Sequence, residues 1–288
     1  MGSVGVGHRD AGRRIVDLFA GAGGWDEGLR ELGYSALGID SDRWACATAR
    51  AAGHERIEAD VAALDPKAFA PIWGLIASPP CQAYSNAGKG LGKLDKPHVF
   101  ACAHELAAGH DSRAEHLAAC RDSRSLLTVE PLRWALALRP RWIAFEQVPP
   151  VLELWSLFAG LLAAHGYEAS AGVLSAERFG VPQTRKRAFL IASLDGPVAL
   201  PEPTHRSYNP RRPDQVREDE ADLFPWVSMA DGLGWGRDGV TWTNNQTGNG
   251  RRPRGLARPM SCPARTIDTA SGSWTVEPGS AKEGEADA

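Results

Sequence analysis

The chain has 288 residues, of which 43% are hydrophobic and 23% charged, a composition that is ordinary for a globular protein. Its net charge of −3 excludes a protein that coats nucleic acid through bulk positive charge, but not one with a local basic surface. The chain shows no long apolar run, no signal-peptide core and no paired cysteine framework, so we expect no membrane span and a reducing compartment.

The first part of the chain alternates short apolar runs with amphipathic segments. Arg14 to Phe19 is predicted to be a strand that ends at a glycine-rich turn, and a helix from Trp25 to Leu32 is predicted to end at Gly33. Asp42 is a suitable cap for a second helix. This order predicts a mostly parallel sheet with helices on both faces. Further strands are predicted over 34–40, 56–61 and 74–78.

The second part begins with a stretch rich in His, Gly and Ala that extends to about Arg121. Beyond it, helices are predicted over 123–138 and 152–165, and strands over 141–145, 167–174 and 188–194. From Asp195 to Ala257 the periodicity is weak and Pro, Gly, Arg, Trp and Asn are frequent, which indicates a small second lobe or a set of long loops. The acidic end from Glu277 is typical of a disordered tail.

The first turn, Asp17 to Gly24, places glycines between a strand and a helix, where backbone N–H groups can approach a ligand closely. Asp40 ends the second predicted strand, which suits hydrogen bonds to ribose hydroxyls. Asp60 ends the third predicted strand and could meet an adenine amine. The same geometry would serve NAD, and tight glycine turns also occur without a ligand, so these alternatives stay open at this point.

A cysteine follows the fourth predicted strand. Because ligands of such sheets lie beyond the carboxyl ends of the strands, Cys81 is expected beside the glycine turn. Pro79 and Pro80 stiffen the chain before it and help to aim the thiol. A free thiol has a pKa of roughly 8.5, so a nucleophile here needs a nearby cation. A buried structural cysteine is the alternative, but the flanking sequence is a poor core segment.

Two more polar segments are expected near the same edge of the sheet. Glu146 follows the strand RWIAF directly. Arg185 and Arg187 precede the last strand and would share one face if that segment is extended. Each has an ordinary alternative, since Glu146 could cap a helix and the arginines could form a solvated or phosphate-binding face.

Taken together, these segments resemble the cytosine-C5 DNA methyltransferase family of bacterial and phage type. Their order and spacing agree with that family from Ile15 to Ile267. The resemblance implies a Rossmann-like S-adenosylmethionine-dependent methyltransferase fold with a small target-recognition lobe. The matching sequences are DLFAGAGG at Asp17–Gly24, PPCQAYS at Pro79–Ser85, EQV at Glu146–Val148, QTRKR at Gln183–Arg187 and, more weakly, RPMSCPARTI at Arg258–Ile267.

The resemblance implies a DNA (cytosine-5-)-methyltransferase with S-adenosyl-L-methionine as methyl donor. Cys81 would add to C6 of a cytosine flipped out of double-stranded DNA, and would leave after C5 is methylated. Glu146 would bind N3 and the 4-amino group, Arg187 would bind O2, and Arg185 would hold the loop, Glu146 or a phosphate. The loop Gly88–Lys93 would close over the base. Cofactor contacts are implied for Phe19, Ala20, Gly21, Gly23, Asp40, Asp60, Val61 and Pro80.

We predict a catalytic domain over 1–194, a target-recognition region over 195–257, and a return segment with an acidic tail over 258–288. Gln147 replaces the family's usual Asn, a change that we expect to be tolerated. The family's C-terminal Gly-Asn-x-Val motif is not found, so we expect a truncated chain, a second polypeptide that supplies the motif, or weak cofactor binding. Candidate base-reading residues are Asn244, Asn245, Gln246, Arg251 and Arg252.

Other functions stay open at this point. An RNA cytosine-C5 methyltransferase shares the resemblance, a catalytically silent DNA-binding relative would fit the missing motif, and a nicotinamide oxidoreductase would use only the glycine turn and Asp40. We expect a monomer in the cytoplasm of a bacterial or phage-infected cell, with a role in restriction-modification or phage biology. His98 with Cys102, and His116 with Cys120, have a spacing that zinc uses, but an ordinary His-rich insertion explains them too, and no metal site is assigned.

Overall fold

A computed structural model describes residues 13–81, 92–235, 240–243, 258–265 and 274–277. The chain divides into two compact units, one formed by Met1–Val173 with Ala188–Leu200, and the other by Leu174–Arg187 with Pro201–Ala288. Within the described ranges, no helix has the length and apolar character that crossing a bilayer requires. The predicted functional division at 194 and 257 stays a prediction.

The first unit contains most of the regular elements. In chain order they are β1 (Ile15–Leu18), α1 (Gly24–Glu31), β2 (Ala36–Asp40), α2 (Arg43–Ala51), β3 (Glu55–Glu58), β4 (Gly74–Ala77), α3 (Gly92–Ala107), α4 (Arg113–Ala119), α5 (Glu130–Leu138), β5 (Trp142–Gln147), α6 (Leu152–Ala164) and β6 (Glu168–Ser175). The remaining elements are β7 (Gln183–Thr184), β8 (Lys186–Ser193), α7 (Met229–Leu233), β9 (Val240–Thr243), β10 (Arg258–Pro259), β11 (Ala264–Arg265) and β12 (Trp274–Glu277).

A seven-stranded sheet organises the first unit, with the strand order β3-β2-β1-β4-β5-β8-β6. The strands from β3 to β5 pair in parallel, so their carboxyl ends meet at one edge. β8 runs antiparallel to β5. The predicted Rossmann-like, mostly parallel sheet is therefore confirmed, and the edge that should carry a ligand is the one beyond β1, β2, β3, β4 and β5.

Both faces of this sheet are covered, because side chains alternate along each strand. On β1, Val16 and Leu18 belong to a large core that also contains buried residues of α3, α5 and α6. Ile15, on the opposite face, packs with Trp25 and Leu29 of α1. The predicted placement of helices on the two faces is confirmed.

Local signals explain where several elements begin and end. Asp42 caps α2, since its carboxylate accepts hydrogen bonds from the backbone N–H of Trp44 at 2.8 Å and of Ala45 at 3.2 Å. Gly33 has a φ of +78°, as expected for a glycine that ends a helix. The helix predicted over 123–138 is instead a 3₁₀ segment, Ser123–Val129, followed by α5. Pro131 favours this break, because proline suits the first turn of a helix.

The stretch rich in His, Gly and Ala forms α3 and α4 in its described part. The predicted closing loop Gly88–Lys93 reaches into α3, which begins at Gly92, and its residues 88–91 lie outside the described ranges. Asp95 of α3 ties the chain beyond α4, accepting hydrogen bonds from the N–H groups of Arg121 at 2.8 Å and Asp122 at 3.0 Å. Between Gly92 and α5 the chain therefore forms two helices and the 3₁₀ segment Ser123–Val129.

The second unit has small sheets and a small core. β7 pairs in parallel with β11, and β9 lies between β10 and β12. A cluster of Met229, Ala230, Met260 and Ala264 is buried. Glu277, the first residue of the predicted disordered tail, is the last residue of β12 and pairs with Val240 of β9, so it is not disordered; residues 278–288 lie outside the described ranges.

Candidate active site

The glycine turn after β1 has a backbone that only some residues adopt. Gly21 has a φ of +55° and Gly23 a φ of +109°, and α1 begins directly after Gly23. A Cβ at Gly23 would lie 2.7 Å from the ring of His54. Glycine is therefore required at this position both by conformation and by space, and the first N–H groups of α1 point out of the turn.

Asp40 links the end of β2 to the glycine turn. Its Oδ2 accepts a hydrogen bond from the N–H of Gly21 at 2.8 Å, and its Oδ1 accepts one from the N–H of Asp42 at 2.8 Å. A carboxylate oxygen can accept two hydrogen bonds, so each oxygen keeps capacity for a hydroxyl donor. The side chain is half-buried and held in place, as a residue that binds a ribose would need to be.

A buried arginine, Arg56, links the same turn to α1. The guanidinium of Arg56 makes a bidentate pair with Asp26 of α1, at 2.5 and 3.2 Å, and its Nε donates to the carbonyl of Gly21 at 3.3 Å. A Cβ at Gly38 would lie 2.2 Å from this guanidinium, so glycine on β2 makes room for it. Sequence reasoning did not single out Arg56 or Asp26, because 30 positions separate them and neither belongs to a motif.

Asp17 lies in the interior of β1, close to these charges. Its side chain is fully buried, and among the described residues neither carboxyl oxygen has a hydrogen-bond partner. Burial and the charge of Asp26 raise the pKa of Asp17 well above its ordinary value. The first motif residue therefore keeps its proton to a higher pH than an ordinary aspartic acid, and its polar capacity is used by no described neighbour.

The Asp60 segment differs from its prediction in one respect. β3 ends at Glu58, and Asp60 instead caps a 3₁₀ turn, accepting a hydrogen bond from the N–H of Ala62 at 2.9 Å. The N–H of Ala59 donates to the carbonyl of Asp40 at 2.9 Å, which keeps this segment beside the end of β2. Asp60 is exposed and Val61 is buried.

Cys81 lies just beyond β4, in a segment tied to the glycine turn. The N–H of Ser78 donates to the carbonyl of Leu18 at 3.1 Å, and the indole N–H of Trp25 in α1 donates to Ser78 Oγ at 2.9 Å. Pro80 and Cys81 are half-buried. The structure thus brings the thiol to the edge where the glycine turn lies, whereas Gln82 to Ser85 lie outside the described residues.

Glu146 is near the end of β5, the strand beside β4. Ala77 pairs with Phe145, so Glu146 lies at the level of Ser78, at the same sheet edge as Cys81. Gln147 follows it, is buried, and donates through its side-chain amide to the carbonyl of Pro79. The side chain of Gln147 therefore joins the end of β5 to the segment after β4. From the sequence we predicted only that Gln in place of Asn is tolerated, and this contact was not predicted.

The two arginines belong to the second unit. Arg187 is the second residue of β8 and donates to the carbonyl of Lys186 at 2.8 Å. Arg185 lies between β7 and β8, and its carbonyl accepts from the N–H of Ala176 at 2.8 Å. Both side chains are half-buried. That these guanidiniums meet Cys81 and Glu146 around one base stays a prediction.

The other cysteines of the first unit are poor nucleophiles. Burial raises the pKa of Cys102 and of Cys120 to about 11, and raises that of Cys46, so these thiols keep their protons at neutral pH. The rings of His98 and His116 lie 5.8 Å apart, but the described residues contain no group of three or more side chains suited to a metal ion. The five base-reading candidates, from Asn244 to Arg252, lie outside the described residues.

The sequence model of the C-5 cytosine-specific DNA methylases matches residues 13–104 and 111–225. The chain belongs to this family. The match includes the glycine turn, Cys81, Glu146 and both arginines, and it confirms the resemblance that the motifs indicated. The residues 105–110 that it omits form the end of α3 and the connection to α4.

Relatives of this methylase include type II methyltransferases from several bacteria. M.AquIA of Picosynechococcus is 28% identical over 77% of this chain and 88% of its own length. M.AgeI of Thalassovita gelatinovora is 28% identical over 73% of this chain, and M.NaeI of Lentzea aerocolonigenes is 33% identical over 66%. The chain spans only 46% and 43% of the length of these last two relatives.

Two solved structures are similar at low identity. The S. pombe Dnmt2 methyltransferase is 21% identical, with a TM-score of 0.48 over 65% of this chain and 51% of its own. The Entamoeba histolytica methyltransferase EhMeth is 18% identical, with a TM-score of 0.47 over 64% and 53%.

Proposed function

We propose that the chain transfers a methyl group from S-adenosyl-L-methionine to C5 of a cytosine in double-stranded DNA. The observation that carries this proposal is that Cys81 follows β4 and Glu146 lies near the end of the paired strand β5, beside the glycine turn. Family membership supports the reaction type. We also propose a monomer that acts in the bacterial or phage-infected cytoplasm, where its DNA would be, in restriction-modification or a phage-related role.

The residues around the glycine turn suit this cofactor. Gly21 leaves open space beside the backbone for an approaching ligand, and Asp40 retains acceptor capacity for ribose hydroxyls. Asp60, which is exposed, would accept from the adenine amine, and Val61 would be the adjacent contact. Phe19, Ala20 and Pro80 would complete the contacts. When bound, S-adenosyl-L-methionine supplies an electrophilic methyl group on a sulfonium sulfur.

The chemistry expected of the chain begins with its thiol. Cytosine C5 is a weak nucleophile, so the thiolate of Cys81 would add to C6 and make C5 electron-rich. Glu146 would bind N3 and the 4-amino group, Arg187 would bind O2, and both would limit charge on the ring. Arg185 would hold Glu146, the loop or a phosphate. After C5 is methylated, a base removes the C5 proton and Cys81 leaves as the C6–S bond breaks. The base must first be flipped out of the duplex.

A covalent trapping experiment tests the proposal. With 5-fluorocytosine DNA the fluorine cannot be removed as a proton, so the wild-type chain is expected to form a stable adduct only when S-adenosyl-L-methionine is present. Cys81→Ser should give no adduct, whereas Cys102→Ser, a change at a buried protonated thiol, should retain it. Absence of an adduct with folded wild-type protein contradicts the proposed function.

A second arm identifies the substrate. Matched single-stranded RNA carrying 5-fluorocytosine should not be trapped, and bisulfite sequencing of DNA from expressing cells should report methylation at one sequence context. Trapping of RNA alone would replace DNA by RNA in the proposal. Salt-sensitive DNA binding with no adduct would indicate a silent DNA-binding protein instead.

A further inference from the structure

The turn that carries Asp60 is stabilised by side chains from other elements of the chain. Within this segment, Asp60–Leu64, hereafter the Asp60 turn, the N–H of Ala63 donates to the carbonyl of Asp60 at 3.1 Å. The carbonyls of Val61, Ala62 and Leu64 have a different kind of partner, because each accepts a hydrogen bond from a guanidinium. These guanidiniums come from elements about 50 to 70 positions further along the chain.

Arg133 of α5 supplies most of these bonds. Its Nη2 donates to the carbonyls of Val61 at 3.0 Å and Leu64 at 3.2 Å, and its Nη1 donates to Leu64 at 3.2 Å. Its Nε donates to Oε2 of Glu130 at 2.6 Å. The planar guanidinium thus bridges a buried carboxylate and two backbone acceptors, a geometry that lysine cannot reproduce.

Arg113, the first residue of α4, completes the arrangement. Its Nη1 donates to the carbonyl of Ala62 at 3.1 Å and to Oε1 of Glu130 at 2.7 Å. Asp111 binds the other side of the same guanidinium, at 2.8 and 2.9 Å. Each oxygen of Glu130 therefore holds a different arginine, and the carboxylate is only 3% exposed.

Close packing does not replace these bonds on the α4 side of the turn. A cavity of about 320 Å³ is lined by Ala62, Arg113, Leu126, Leu127 and Glu130 among others. Val61 anchors one side of the turn in the hydrophobic core, whereas on the side of Ala62, which borders the cavity, the guanidinium bonds supply the support. Arg113, Glu130 and Arg133 all lie within the second range that the family model matches, 111–225.

We propose that Arg113 is a positioning residue for the adenosine end of the cofactor, acting with Glu130 and Arg133 to hold the Asp60 turn in its binding conformation. The inference rests on the proposed function, because it takes Asp60 and Val61 as cofactor contacts. A turn that is already ordered loses less conformational freedom on binding, so its support contributes to affinity without touching the ligand.

The test uses the full chain with Arg113→Met, which removes the guanidinium and keeps most of the side-chain volume. Calorimetry is expected to show dissociation constants about tenfold higher for S-adenosyl-L-methionine and for 5′-methylthioadenosine, which lacks the amino-acid end. KM for the cofactor should rise by a similar factor, while kcat at saturating cofactor and the Kd for DNA stay within about twofold. A merely structural role would not produce this separation.

Arg50→Met is the matched control. Arg50 also donates to a backbone carbonyl, that of Arg56 at 3.1 Å, but on β3 and not on the Asp60 turn. Its cofactor Kd is expected to stay within about twofold of wild type. Arg113→Lys keeps the charge beside Glu130 but cannot span three partners, so a loss of about threefold is expected; this variant decides the question if Arg113→Met does not fold.

The outcomes separate the two proposals. Unchanged cofactor affinity in both Arg113 variants, with normal binding by the wild type, overturns this inference alone. A fall in kcat without a change in cofactor Kd overturns it as well. A wild-type chain that does not bind S-adenosyl-L-methionine overturns both this inference and the proposed function.

Discussion

Two turns at the edge where the parallel strands end are each supported by arginine, but in different ways. Beneath the glycine turn, Arg56 is fully enclosed, with one counter-ion, Asp26, that is 3% exposed. Beneath the Asp60 turn, two arginines share one buried carboxylate, and Arg113 keeps 23% of its side chain exposed. The first support is a single buried ion pair, and the second is a network of two arginines and one buried carboxylate in which Arg113 is partly exposed.

This difference in exposure predicts whether removal of the support lowers the stability of the fold or changes the position of the turn. An enclosed guanidinium that loses its carboxylate has no access to water, so the fold itself is destabilised. A partly exposed guanidinium can be rehydrated, so the main loss is the position of the turn. We therefore expect the glycine-turn support to act mainly on stability and the Asp60-turn support to act more on affinity.

The largest effect is expected for Asp26→Asn. This change leaves the charge of Arg56 buried without a counter-ion, and we expect a loss of about 3–5 kcal/mol in the free energy of unfolding, measured by urea denaturation. Glu27→Gln is the control one position away, because Glu27 is half exposed and its ion pairs are worth at most about 1 kcal/mol. Equal losses in the two variants would show that the enclosed pair contributes nothing special.

A smaller loss is expected for Glu130→Gln. The amide keeps the shape of the side chain, but two guanidiniums lose their shared charge, and we expect about 2–3 kcal/mol less stability in the same assay. Glu153→Gln, at an exposed pair with Lys96, should change stability by less than about 1 kcal/mol. A loss for Glu130→Gln that exceeds the loss for Asp26→Asn would reverse the comparison.

The third effect, which is smaller per pH unit than the two losses above, is a pH slope of stability caused by Asp17. Since the pKa of Asp17 is raised in the folded state, its contribution to stability is complete below the unfolded value of 3.8 and is lost as pH rises toward the folded value. Relative to Asp17→Asn, the wild type should lose up to about 1.4 kcal/mol per pH unit above pH 4, measured by urea denaturation from pH 4 to 8. The difference between wild type and Asp17→Leu should show the same slope, because leucine does not titrate, and parallel profiles for wild type and both variants would contradict the prediction.

Much of the fold and part of the site could be predicted from local pattern. Alternating and continuous apolar runs predicted the strands of the parallel sheet, and the glycine turn, Asp42 and Gly33 predicted where helices begin or end. The turn before α1 and the cysteine beyond β4 were placed at one sheet edge on the rule for parallel strands. Pro131 marks the first turn of α5, and it was the available signal that the predicted helix over 123–138 is divided.

Only the tertiary structure decided which polar and charged groups support the site. The pairs Arg56–Asp26, Arg113–Glu130 and Gln147–Pro79 join residues 30, 17 and 68 positions apart. Periodicity reports the face of one element, whereas these contacts depend on how several elements meet, so composition and spacing carry no signal for them. The sequence by itself determined a parallel sheet with a glycine turn and a thiol at its edge, because those features follow from neighbouring residues. The tertiary structure decided which buried charges hold that edge in place, because a charge is tolerated inside only where distant partners converge on it.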